Sequence, residues 1–131
     1  MNKTAVIFSP KYYQHNPGRG HPESAQRLRA IINELKRREL AEGRNWEFVE
    51  PNKACWEDVE LVHAREYIKL VEAICKCGGS VLDSGDTVVS PKSFEVALCA
   101  IGGTIKAVKL VMEKRFKNAF ALVRPPGHHA E

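Results

Sequence analysis

Apolar positions fall into short continuous runs separated by longer periodic stretches. Thr4 to Phe8 is nearly all apolar and ends at Ser9-Pro10, which predicts a buried strand of a parallel sheet. Trp46 to Val49, which alternates apolar and polar residues before Pro51, and the apolar Asn118 to Val123 predict two further strands. Between them, apolar residues recur at helical spacing. Ala25, Leu28, Ile31, Ile32 and Leu35 form one stripe, in a helix expected to start near Pro22 and stop at Gly43. Shorter helices are predicted over Trp56 to Leu61 and Arg65 to Cys75, ended by Gly78-Gly79. A long helix should follow, capped by Ser90 with Pro91 at its first position. Its stripe reads Phe94, Ala97, Leu98, Ile101, Ile105, Val108 and Met112. Gly102-Gly103 costs that helix roughly 1 kcal/mol per glycine relative to alanine, which points to a close approach to the sheet or to a kink. Lys11 to Gly20 and Leu82 to Val89 read as loops, the first of them exposed. Strands alternating with helices give an α/β class with a parallel sheet, in a single domain over residues 1–131.

Composition narrows the function classes. The chain has 131 residues, 44% of them apolar and 27% charged, as in ordinary globular domains. No apolar run approaches the roughly 18 residues of a membrane span, and Met1 to Thr4 leads into a strand and not a signal peptide, so a cytoplasmic location is expected. Cys55, Cys75, Cys77 and Cys99 show no disulfide spacing and read as reduced thiols. The net charge of +4 gathers at Lys36-Arg37-Arg38 and from Lys106 to Lys117, on what read as solvated helix faces. No nucleic-acid-binding motif accompanies it, so nucleic acid is an unlikely partner.

Chemistry is expected beyond the carboxyl ends of the strands, where ligands bind in open α/β sheets. Two segments fall there: Tyr12 to His21 and Arg124 to Glu131. In the second, Pro125-Pro126 fixes two φ angles, and Gly127 allows a turn that a residue with a side chain would resist. His128 and His129 follow on this stiff lead. Adjacent residues of a non-helical segment point apart, so the pair suits two separate roles better than joint chelation. One imidazole can take a proton from an attacking water while the other supports developing charge. A solvated surface turn accounts for a His-His pair equally well from spacing alone.

The motif Arg124-Pro125-Pro126-Gly127-His128-His129-Ala130 resembles the tandem-histidine motif of histone deacetylases and their acetoin-utilisation and acetylpolyamine amidohydrolase relatives. Three further segments resemble the same family in the same order. They are His21-Pro22-Glu23-Ser24 with Arg27-Leu28, then Val62-His63 with Glu66-Tyr67-Ile68, and Asp86 to Pro91 with Ser93-Phe94 and Gly102-Gly103. The resemblance implies the three-layer α/β/α arginase–deacetylase fold, here reaching about three strands, and zinc-dependent removal of acetyl groups from lysine or polyamine amines. It implies that one of His128 and His129 is the general base and the other an electrostatic stabiliser. It places Arg27 in an inner pocket and Asp86 and Gly127 at the substrate, and it leaves His21 and His63 structural roles. The family's metal ligands lie downstream of the tandem histidines, and no Asp-x-His pair occurs in the chain. We therefore expect no zinc at the catalytic position of this chain alone, and no appreciable activity from it. An open sheet edge is expected to favour a homo-oligomer or a second chain carrying the remainder. The other reading is a non-catalytic oligomerising or ligand-binding remnant of the same fold.

Overall fold

A computed structural model describes residues 3–37, 44–83 and 85–128. Its centre is a parallel sheet of β1 (Thr4–Ile7), β2 (Trp46–Val49) and β3 (Asn118–Ala121), in the order β2-β1-β3. The register pairs Val6 with Phe48 on one side and with Phe120 on the other. All three strands lie where the apolar pattern predicts them. Pairing also extends past the strand ends, since the Phe8 and Leu122 amides donate to the Val49 and Ile7 carbonyls.

The helices are α1 (Ala25–Arg37), α2 (Trp56–Val59), α3 (Arg65–Lys76) and α4 (Ser93–Met112). Side chains alternate across the sheet, so each face has its own core. Ala5 and Ile7 pack against Ala107 and Leu110 of α4. Val6, Trp46 and Leu122 pack against Ile32 of α1 on the opposite face. The result is the expected α/β/α layering. A third cluster, Tyr12, Leu28, Val96, Cys99 and Ala100, closes the region beyond the carboxyl ends of β1 and β3.

The helix starts and one helix face differ from expectation. Residues 21–24 are not helical, because the His21 ring Nδ1 takes the Glu23 amide at 3.0 Å and forms a local turn. Pro22 therefore precedes α1 and does not begin it. Likewise Ser90 and Ser93 bond each other through main chain and side chain, with Pro91 and Lys92 in the turn between them. The α1 stop expected at Gly43 lies outside the described residues. In α4, Val96, Cys99, Ala100, Gly103, Ala107 and Leu110 are buried, whereas Val108 and Met112 of the expected stripe are 59% and 76% exposed. The large apolar residues misled because small ones allow the closest approach. A Cβ on Gly102 would lie 1.7 Å from the Asn52 carbonyl oxygen, and one on Gly103 would lie 2.6 Å from the Tyr12 hydroxyl. Close approach, with α4 continuous through the pair, thus accounts for both glycines.

The segment after β1 is a further correction. Pro10–Gln14 forms a 3-10 turn in which Ser9 is the N-cap, and Tyr12 is fully buried. The Tyr12 hydroxyl donates to the Cys99 carbonyl at 2.9 Å. Lys11 to Gly20 is therefore partly core and not simply an exposed loop.

Candidate functional site

The carboxyl end of β3 delivers Arg124, a charged residue with only 2% of its surface exposed. Its guanidinium is satisfied by groups far away in sequence. Nε and Nη2 donate to the two Glu23 carboxylate oxygens at 2.7 and 2.8 Å. Nη1 donates to the carbonyls of Tyr12 and His15 at 2.6 and 2.7 Å. Both segments expected beyond the strand ends are thus joined through one side chain. The fork geometry of arginine suits this paired acceptance by a carboxylate.

Behind Glu23 stands His15, 5% exposed. Its Nε2 lies 3.5 Å from Glu23 Oε2 and its Nδ1 lies 2.6 Å from the buried Ser93 hydroxyl. Burial, reinforced by the Arg124 charge, pushes the imidazole down to about 4, against the opposing pull of Glu23. His15 is therefore neutral at neutral pH. Nε2–H faces the carboxylate, and Nδ1 accepts the Ser93 hydroxyl. Burial pushes the Glu23 carboxyl up, but the hydrogen bonds and charge of Arg124 outweigh it and hold the carboxyl below its ordinary range.

The segment after Arg124 runs through Pro125 and Pro126 to His128, which is exposed. The Arg124–Pro125 peptide is cis. His129 lies outside the described residues. Gly127 is not among the positive-φ glycines, and a Cβ there would meet nothing within 4 Å. The turn expected to require glycine at this position is therefore not imposed by the backbone.

Arg27 is exposed on α1 and lines a cleft of about 150 Å³ with Glu23, Leu28, Leu122 and Arg124. Asp86 is exposed, and its carbonyl accepts from His21 Nε2 at 2.8 Å. Since His21 Nδ1 accepts the Glu23 amide, this ring holds the Asp86 loop against the turn before α1. His63 packs its ring 5.4 Å from Tyr67, and its Nδ1 is buried without a hydrogen-bond partner. Cys75 is buried and Cys77 exposed, and neither is in a disulfide. Among the described residues, no three His, Cys, Asp or Glu side chains gather into a group able to hold a metal ion. No described helix is long and apolar enough to cross a membrane.

Sequence reading missed Tyr12, His15, Glu23, Ser93 and Arg124 as a single cluster. One signal was present: Ser9-Pro10 is a capped start followed by two tyrosines, unusual for a purely solvated loop.

Comparison with known proteins agrees with this geometry. Residues 21–131 match the family described as the histone deacetylase domain. A probable deacetylase of Archaeoglobus fulgidus is 39% identical over 128 residues, covering 98% of this chain and 35% of that protein. Histone deacetylase 8 of Arabidopsis thaliana is 41% identical over 112 residues, covering 85% of this chain and 29% of its own length. The crystal structure of the HDA15 HD domain superposes with a TM-score of 0.89 at 32% identity, covering 98% of this chain and 37% of that one. The chain thus spans about a third of the length of these relatives. Fold, ordered motifs and relatives agree: the chain belongs to the histone deacetylase family.

Proposed function

We propose that this chain supplies the tandem-histidine part of a zinc-dependent deacetylase acting on acetyl-lysine or on acetylated amines such as polyamines. The observation that carries this reading is the family match over residues 21–131, which contains both His128 and His129. In this reading one of the two imidazoles takes the proton of the attacking water, and the other stabilises charge developing on the carbonyl oxygen. Arg27 serves the inner pocket, while Asp86 and Gly127 meet the substrate. The described residues do not fit a zinc site by themselves, lacking the three or four donors such a site needs. The donors are assigned to polypeptide outside this chain, and the chain alone is expected to leave the amide intact.

Acetate release tests both halves. The purified chain with added Zn²⁺ should release no more acetate from acetyl-lysine peptides or acetylated polyamines than its His128→Ala/His129→Ala variant. Replacing the matching segment of the Archaeoglobus fulgidus protein with this chain should give an active chimera that the same double substitution silences. An inactive chimera that folds overturns the deacetylase reading, and activity of the isolated chain overturns the need for outside donors.

The partner reading rests on the sheet edge. β3 is an outer strand, and Phe120 on it is 61% exposed. We assign this edge to strand association, with a second copy or with a chain carrying the remainder of the domain.

A further inference from the structure

We propose that Arg124 and Glu23 are positioning residues for the tandem-histidine segment, holding its start in register with the loop after β1. The inference rests on the reading of His128 and His129 as the proton-handling pair. Arg124 is four residues before His128, and only Pro125, Pro126 and Gly127 intervene. Two of those residues have restricted φ, so an orientation imposed at Arg124 carries forward along the segment.

Four hydrogen bonds impose that orientation, two to Glu23 and one each to the Tyr12 and His15 carbonyls. The acceptors belong to two different segments, so the guanidinium locates the strand end relative to both. A lysine would keep the charge but could not form the fork and reach both carbonyls. Stability alone does not explain such a device, since a buried ion pair is often no better than packed apolar side chains. The carboxylate is also protected as an acceptor. Its other neighbour, His15, is held between the two, with Nδ1 2.6 Å from the Ser93 hydroxyl and Nε2 3.5 Å from Glu23 Oε2. Ser93 is fixed in turn by the Ser90 amide at 2.7 Å.

The test uses the full chain and needs no activity. Backbone ¹⁵N relaxation would be measured for Gly127 and His128 in the wild type and in Arg124→Lys, Glu23→Gln and Leu110→Ala. Leu110 is a buried core residue on α4 and serves as a destabilised control. Arg124→Lys and Glu23→Gln should lower the order parameters of both amides from about 0.85 to below about 0.6, while Leu110→Ala leaves them at the wild-type value. Glu23→Gln keeps an amide oxygen for Arg124, so it reports even if Arg124→Lys does not fold. Equal order in the wild type and Glu23→Gln overturns the proposal, as does equal loosening by Leu110→Ala. In an active chimera, Glu23→Gln should lower kcat about a hundredfold with KM unchanged. Unchanged kcat there overturns positioning, whereas an inactive wild-type chimera overturns only the deacetylase reading.

Discussion

Glu23 and Arg124 are 101 residues apart in sequence and meet through two hydrogen bonds of 2.7 and 2.8 Å, with Arg124 almost fully buried. Removing one partner strands the other. Glu23→Ala should therefore destabilise the chain by about 3–5 kcal/mol, the cost typical of a broken buried pair. Urea denaturation measures it. Glu23→Ala/Arg124→Met should cost less than the sum of the two single substitutions, and additivity would show that the two side chains act independently.

Acid should weaken the fold through the same cluster. The unfolded chain protonates His15 near the ordinary value of 6.5, whereas the folded chain does so only near 4. Between those values the unfolded state binds the extra proton, so stability falls as the pH falls, by on the order of 3 kcal/mol across the window. Glu23 acts in the same direction at lower pH, because its carboxyl is held down in the fold. Denaturation midpoints followed from pH 7 to pH 4 should show this slope, and His15→Gln should flatten it above pH 4.

Two glycines should respond very differently to alanine. Gly102→Ala places a Cβ 1.7 Å from a backbone oxygen. Strain of about 3 kcal/mol or more should outweigh the roughly 1 kcal/mol gained in helix propensity. Gly127→Ala meets open space and should change stability by less than about 0.5 kcal/mol. Thermal melts of the two variants separate these outcomes, and a strongly destabilised Gly127→Ala would restore a conformational need for glycine there.

Association through β3 should depend on Phe120. Sedimentation velocity at increasing concentration should show self-association of the wild type and its loss in Phe120→Lys, since charge on an edge strand discourages pairing. A compact monomer at all concentrations would remove self-association as the role of this edge.

The strands were legible because strands of a parallel sheet read as nearly continuous apolar runs, as Thr4 to Phe8 and Asn118 to Val123 do, although β3 is only partly buried. The buried face of α4 was not legible. Periodicity weighted by residue size selects Val108 and Met112, while the sheet selects Ala100, Gly103 and Ala107 by how near they let the backbone come. The tandem histidines were visible through Pro125 to His129, yet the cluster that anchors their segment was hidden. Glu23 and Ser93 belong to motifs visible in the sequence and His15 to none, and only the fold brings the three together.

Because β1 is central, its two parallel partners lie on opposite sides of it in space but both later in sequence. Asn118, paired with Thr4, is made 114 residues after it. At about 5–20 residues per second on the ribosome, β1 waits several seconds before its second neighbour exists. During that interval a strand with Ala5 and Ile7, both fully buried in the finished fold, is paired on one side at most. Nascent chains of this topology should therefore engage chaperones until β3 emerges, and the Arg124–Glu23 contact beyond that strand forms only afterwards.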